Sequence, residues 1–304
     1  NFSNYIQSLK IVDKNLNLLN CSNGQNKKLF KLTINGKGST GPIISAKLKI
    51  TKIQSNKINE TILSFRSYYQ FYDHLKKISK FKYGVCWVDF TKKNFDGLIF
   101  LGNHDIHKKN FQNKINDISL PIIFTKIVGI FINNKFFISL FNRLFKFKNL
   151  IFSKKISNFN DFFFPQNKIK NWNYFFNNGF VQFQIYLKIK DLKKVIRDLK
   201  LLIEENQLVS NFVIIKFHKK TLKEKNFKIS LSLDFPIKKN FSRIQKALSN
   251  FVIKNNTEVE LSKDIILDKL NKKTLDINPV FKKQNLKYFH KNYESSMFKR
   301  IERI

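Results

Sequence analysis

Residues 178–206 read NGFVQFQIYLKIKDLKKVIRDLKLLIEEN, and the spacing of their apolar side chains changes part-way from two to about 3.6. Phe180, Gln182, Gln184 and Tyr186 alternate with Val181, Phe183, Ile185 and Leu187, the two sides of a strand. From there Leu192, Val195, Ile196, Leu199, Leu202 and Ile203 recur along one stripe, which is an amphipathic helix. Downstream, FVIIKFHK (212–219) and FKISLSLDFPI (227–237) read as strands, NFSRIQKALSNFVIKN (240–255) as a helix and TEVELSK (257–263) as a strand. Upstream, SYYQFYDHLKKISKF (67–81) reads as a helix followed by the strands KYGVCWVDF (82–90) and GLIFLGN (97–103). The order helix, strand, strand, helix, strand implies an α+β fold, an antiparallel sheet covered by helices on one face. No internal repeat is evident, and no Pro- or Ser-rich linker marks a boundary.

Two glutamines on one strand face are unusual. If the face is buried they need partners, and a bound polar ligand is one way to supply them.

Near the start, NGKGSTGPIIS (35–45) spaces three glycines as G-x-G-x-x-G. The preceding NKKLFKLTI has helical spacing, and in PIISAKLKITKI the residues Ile44, Ala46, Leu48 and Ile50 alternate with polar ones as in a half-buried strand. A dinucleotide or P-loop site needs strand, glycines, then helix, so that a helix N-terminus meets the phosphate. Here the order is reversed, and both of those readings fall.

The formal charge of +36 points first to nucleic acid or an anionic membrane. Yet the cations are 51 lysines against six arginines, scattered along the chain, whereas bidentate phosphate and base recognition favours arginine. Lys, Asn, Ile and Phe rise together, as in residues whose codons need only A and T. The two cysteines, Cys21 and Cys86, have neither disulfide-framework nor zinc spacing, which fits a reducing compartment. The expected location is cytoplasmic, or peripheral at an inner membrane.

The most apolar region, 120–152, is interrupted by Lys126, Asn133, Asn134, Lys135 and Arg143, and no run reaches the roughly 20 residues of a spanning helix. Within it Phe137, Leu140, Phe141 and Leu144 recur at helical spacing, with Lys135, Asn142, Arg143 and Lys146 around them. This stripe is expected to pack on the chain's own core, with lying on a bilayer surface as the second reading. His104 and His107 in GNHDIHKK have no third ligand at motif spacing, so a solvated loop is expected and no metal site. No G-x-S-x-G elbow, Walker A lysine motif or H-E-x-x-H occurs.

Taken in order, NGKGSTGPIIS, YGVCWVDF with GLIFLGNH, FFFPQNKIKNWN with NGFVQFQ, IIKF, LSLDFP and VELSKD resemble the vanillyl-alcohol-oxidase type of FAD enzymes with a PCMH-type flavin domain, in their decaprenylphosphoryl-ribose oxidase-like branch. The resemblance implies the C-terminal part of a flavin domain over residues 1–54, a substrate domain over 55–256 and a segment, 257–304, returning to the flavin domain. It implies that the chain corresponds to the C-terminal two thirds of such an enzyme, the FAD pyrophosphate loop lying upstream.

The implied activity is oxidation of a secondary sugar hydroxyl to a ketone, the sugar a pentose on a polyprenyl phosphate, with another polyprenyl-phosphate sugar, a soluble sugar or a lactone as alternatives. The cofactor is FAD and the partner a short-chain dehydrogenase/reductase that completes an epimerisation. Lys263, in S-K-D, stands where the family has a pocket lysine suited to proton removal and to stabilising negative charge. Gln184 and Gln182 match paired glutamines that orient a sugar hydroxyl or flavin edge, Gln184 being the second catalytic candidate. Lys216 matches a residue that meets the anionic substrate, while Asp234 and Trp87 match cavity-lining positions, Trp87 with an equal claim to a packing role. Gly36, Gly38, Gly41 and Ile43 would approach the cofactor. Departures are Glu260 for a flavin-contacting aromatic, Phe163 for a pocket Tyr, Ser232 where some members carry Cys, and Pro42 for Ile. The alternative function, resting on charge alone, is a basic RNA-binding or ribosome-associated protein.

Overall fold

The computed structural model describes residues 2–36, 38–106, 118–132, 134–176, 178–210, 212–217, 227–237, 241–260, 263 and 288. The chain divides into two compact units, residues 1–52 with 245–304, and residues 53–244.

In the first unit β1 (Ile6–Val12) and β2 (Leu18–Ser22) form a hairpin, followed by α1 (Lys27–Asn35) and β3 (Ile43–Leu48). The strands pair antiparallel in the order β2-β1-β3. The Asp13 carboxylate closes the hairpin turn by accepting from the backbone N–H groups of Asn15 and Asn17, at 2.9 and 2.8 Å. Leu9, Ile11 and Cys21 from the sheet pack on Leu29 and Phe30 of α1, with Tyr288 joining them. The alternation of β3 predicts a half-buried strand, but every residue of β3 is exposed. Among the described residues it is an edge strand bonded to β1 alone, and the core gathers on β1, β2 and α1.

The second unit begins with β4 (Lys57–Phe65), α2 (Tyr68–Ile78), β5 (Tyr83–Val88) and β6 (Gly97–His104). Next come β7 (Ile118–Ser119), α3 (Ile122–Ile132), α4 (Lys135–Ile151), β8 (Lys154–Asn158), α5 (Phe159–Phe163) and β9 (Ile169–Lys170). The unit then runs through β10 (Phe180–Lys188), α6 (Leu192–Glu205), β11 (Val213–Phe217) and β12 (Lys228–Pro236). After it stand α7 (Phe241–Asn255), with Ile244, Leu248, Phe251 and Val252 buried, and β13 (Glu258–Val259), within the strand expected over 257–263, of which residues 261 and 262 lie outside the described residues.

Within the second unit the strands neighbour one another as β10-β12-β11-β5-β6-β4-β8, every pair antiparallel. Two copies of one topology meet at the β11–β5 pair. In each, a strand, a helix and a hairpin follow in sequence, and the last strand inserts between the first two, giving β10-β12-β11 and β4-β6-β5. The sequence shows no repeat because only the order of elements recurs, not the residues.

Cross-strand partners share a face, so the register sorts the side chains. One face carries Phe183, Ile185, Leu231, Leu233, Val213, Ile215, Cys86 and Ile99, all buried. The helix α2 lies on it: a Cβ on Gly84 would meet Ile78 at 3.6 Å, and Phe71 stands edge-on to Phe65 at 5.2 Å between ring centres. The start of α2 is fixed by Ser67, which accepts from the backbone N–H of Gln70, while the Gln70 side chain accepts from that of Arg66.

The opposite face carries Gln182, Gln184, Ser230, Ser232, Trp87 and Phe100, and α4 lies on it through Phe145, edge-on to Trp87 at 5.1 Å. The α5 residue Phe162 approaches the same face at Gly102. Helices therefore cover both faces, not the single face expected, because the segment between β6 and β8 folds back as α3 and α4.

The orientation of α4 also reverses the expectation. Phe137, Leu140, Phe141 and Leu144 point outward, 40–60% exposed, and the buried residues are Ile138, Asn142 and Asn149. Asn142 donates to the Asp89 carboxylate at 2.7 Å and Lys146 pairs with Asp96, both acceptors flanking the β5–β6 turn. The polar stripe is the one that finds partners. His104 likewise is no solvated loop residue: it ends β6, with Nδ1 against the Ser55 carbonyl at 2.8 Å and Nε2 against the Tyr83 hydroxyl at 3.0 Å. His107 lies outside the described residues. Among the described residues no cluster of His, Cys, Asp or Glu suits a metal ion, and both cysteines are free and buried.

Candidate functional site

The register of β10, β12, β11 and β5 brings five of the expected residues onto one face of one sheet. Gln184 stands opposite Ser232, Ser232 opposite Ile214, and Ile214 opposite Trp87. On one side of this row Gln182 faces Asp234, and on the other Tyr186, Ser230, Lys216 and Val85 form a parallel row. Three inter-strand spacings separate Gln184 from Trp87, about 14 Å along the row.

The polar half of this face is largely shielded from water. Gln184 is 7% exposed, Ser232 4% and Ser230 fully buried. Gln182 donates through Nε2 to an Asp234 carboxylate oxygen at 2.7 Å, which orients both groups. Among the described residues the Ser230 and Ser232 hydroxyls have no hydrogen-bond partner, and no bond joins the Gln184 amide to another of them. Buried polar atoms in native proteins are nearly always satisfied, so these hydroxyls and the Gln184 amide are polar groups on adjacent strands whose partner the described residues do not supply. Lys216 stands exposed at the margin of the same face, a cation beside it.

Trp87 does something different. It is buried among Ile62, Leu98, Phe100, Phe145 and Ile214, so it packs α4 to the sheet and offers little surface to a ligand. Ser230 was not among the expected site residues. The signal was present in KISLSLDF, whose period of two sends Ser230, Ser232 and Asp234 one way and Ile229, Leu231 and Leu233 the other.

The remaining expected residues belong to the first unit. Lys263 is half-buried, its backbone N–H donating to the Glu260 carbonyl at 3.0 Å. Gly36 caps α1, and a Cβ there would stand 2.4 Å from the Leu32 carbonyl oxygen. Gly38 and Gly41 take φ of 88° and 118°, the left-handed region open to glycine. Ile43 begins β3 and pairs with Ile11. Between the glycines Ser39 is buried with its hydroxyl unpartnered, while Thr40 donates to the Thr33 hydroxyl at 2.9 Å. The turn itself calls for these glycines, Gly36 against the Leu32 carbonyl and Gly38 and Gly41 for their positive φ. A depression of about 370 Å³ in this unit, lined by Ser8, Lys10, Asn20, Ser22, Ser45 and Lys47 among others, contains none of the expected residues.

No protein-family model matches the chain, and no curated protein matches it.

Proposed function

We propose that the chain is part of an FAD-linked oxidoreductase, with a PCMH-type flavin domain, that oxidises a secondary hydroxyl of a sugar to a ketone. The substrate is a pentose carried on a polyprenyl phosphate, and a short-chain dehydrogenase/reductase completes the epimerisation. The observation that carries this reading is the gathering of Gln182, Gln184, Asp234 and Lys216 on one sheet face, with open hydroxyls at Ser230 and Ser232. The ordered motifs that resemble the oxidase family supply those residues one by one, and the glycine loop with its open Ser39 hydroxyl suits the cofactor.

FAD, when bound, supplies the acceptor for the hydride. The chain's own residues bind, orient and take up the proton. The Gln184 amide and the Ser230 and Ser232 hydroxyls hold ring hydroxyls of the sugar. Gln182 fixes the Asp234 carboxylate as a further acceptor, and the Lys216 ammonium complements the substrate phosphate. The resemblance to the oxidase family assigns Lys263 the uptake of the proton of the hydroxyl being oxidised.

The test uses the purified protein. It should purify with flavin absorbance, and added polyprenyl-phosphoryl pentose should bleach that absorbance without oxygen. Lys263→Ala should lower kcat by about 10²–10⁴-fold, the range for general-base catalysis. Gln184→Ala should act mainly on KM. A colourless protein that does not take up FAD, and binds RNA with a steep salt dependence, would overturn the reading in favour of a basic RNA-binding protein.

A further inference from the structure

We propose that the outward faces of α3 and α4 form a membrane-docking surface, seating the chain at the headgroup–acyl boundary of an anionic phospholipid bilayer. Both helices are inside out. In α3 the inward residues are small: Thr125 is buried with its hydroxyl on the Ile122 carbonyl at 2.7 Å, and a Cβ on Gly129 would stand 2.3 Å from the Phe175 carbonyl oxygen. Its outward residues are large, Ile123, Ile127 and Ile130 being 74%, 49% and 64% exposed. In α4 the buried polar stripe of Asn142 and Asn149 leaves Phe137, Phe141 and Leu144 outward. Phe131 and Phe137, both exposed, meet edge-on at 4.8 Å and join the two apolar rows into one surface.

This surface is built in. The bonds of Asn142 to Asp89 and of Lys146 to Asp96 hold α4 against rolling its apolar stripe inward. A contiguous apolar surface of this kind marks an interaction site.

Charge selects the occupant. Residues 118–155 contain no Asp or Glu, but hold Lys126, Lys135, Arg143, Lys146, Lys148, Lys154 and Lys155. Lys146 and Lys155 are spent on Asp96 and Glu60, whereas exposed Lys135, Arg143 and Lys148 have no ion pair among the described residues. An apolar face edged by cations alone complements acyl chains under anionic headgroups. Among the described residues no single helix is long and apolar enough to cross a membrane, and the α3–α4 pair is bent by 107° at its break. Together the two helices have the length and apolarity of a broken span or re-entrant loop, but the bonds of Asn142 and Lys146 tie the polar side of α4 to the sheet, and on this proposal the pair lies in the interface plane.

This inference stands apart from the flavin chemistry, and its test reads no activity. The full chain is floated on sucrose gradients with vesicles of phosphatidylcholine alone or mixed with phosphatidylglycerol. It should rise with the mixed vesicles. Phe137→Ser, Phe141→Ser and Leu144→Ser together should lower partitioning by at least about a hundredfold, with the urea midpoint near that of the unaltered chain. Arg143→Gln with Lys148→Gln should lower it about thirtyfold on anionic vesicles only. In Phe141→Trp, vesicles should shift emission to the blue, and brominated acyl chains should quench it. Flotation unchanged by the triple variant overturns the proposal. So does a chain that never floats and forms a discrete dimer which Phe141→Ser turns into monomers, because the surface is then a protein interface.

Discussion

Asn142 is the pivot of α4, and its replacement by Ala tests whether polar anchoring, not apolar packing, sets that helix's orientation. Its amide donates to Asp89 at 2.7 Å, and both side chains are buried. Asp89 keeps two other donors, the backbone N–H and the hydroxyl of Thr91, at 3.0 and 2.6 Å. A hydrogen bond to an ionised acceptor contributes about 1.5–3 kcal/mol. Against this stands the Asn142 Oδ1 atom, buried and unpartnered, whose removal returns on the order of 1 kcal/mol. The space left by the amide adds about 1 kcal/mol. The net expected loss for Asn142→Ala is about 2 kcal/mol. With a urea slope of about 2 kcal/mol/M the unfolding midpoint falls by roughly 1 M.

The protein has two tryptophans. In a Trp172→Phe background the emission of Trp87, which touches Phe145 of α4, therefore reports the helix directly. The double variant Asp89→Ala, Asn142→Ala should fall short of additivity by about 1.5 kcal/mol or more. A change under about 0.5 kcal/mol for Asn142→Ala, or strict additivity, refutes the anchoring argument.

Two further outcomes follow from the second unit's interior. Gly97→Ala would put a Cβ 2.2 Å from the Trp87 carbonyl oxygen and 2.6 Å from the Phe65 ring, and backbone cannot yield there. It should cost about 3 kcal/mol or more, while Gly24→Ala, whose nearest neighbour is the Ser22 hydroxyl at 4.0 Å, should stay within about 0.5 kcal/mol by urea unfolding. Lys200 donates to the carbonyls of Lys92, Lys93 and Asn94. Burial pushes its ammonium pKa below the ordinary 10.5, with Asp89 and Asp96 opposing the shift. Between the depressed value and 10.5 the unfolded chain binds more protons than the folded one, so this residue makes stability rise with pH across that window, its penalty being fully present below it. Lys200→Met should remove that slope from the pH dependence of the urea midpoint; an unchanged slope would count against it.

The strands and helices with strong periods were legible in the sequence. The change of period at Lys188–Leu192 located β10 and α6, and the order helix, glycines, strand located α1 and β3. β4 was missed, although Ile58, Glu60, Ile62 and Ser64 alternate with Asn59, Thr61, Leu63 and Phe65, because both sides mix apolar and polar residues. β4 lies between two strands, and its Glu60 is satisfied by the Ser157 hydroxyl and Lys155 across the β8 pair, a long-range solution that local pattern does not reveal. The stripe of α4 was read correctly as a stripe, but periodicity says which residues lie together, not what they face. Asn142 and Asn149, seven residues apart on one side, were the sign that the polar side had internal partners. For the site, Q-F-Q and S-L-S-L-D each state a face, and only the register of β10 against β12 shows that the two faces coincide.

That coincidence bears on how the two proposals fit together. The α4 helix sits on the sheet face that carries Gln184, Ser232 and Ser230, covering its β5 side through Phe145 and Trp87 while the polar residues occupy its β10–β12 side. A substrate with a hydroxylated head and a polyprenyl tail is confined to a bilayer by the tail, since each buried methylene contributes about 0.8 kcal/mol. An enzyme for such a molecule must bring its hydrogen-bonding groups to the depth of the headgroups and hold them there. A helix with its polar side anchored to the sheet and its apolar side turned out does this with one orientation of the unit. On the two proposals together, the polar face of β10 and β12 lies on the side of the sheet that carries α4, with Lys216 on that same face. On the two proposals together, the reversal of α4 and the polarity of β10 and β12 meet one physical requirement, presentation of a polar site to an amphipathic substrate at an interface.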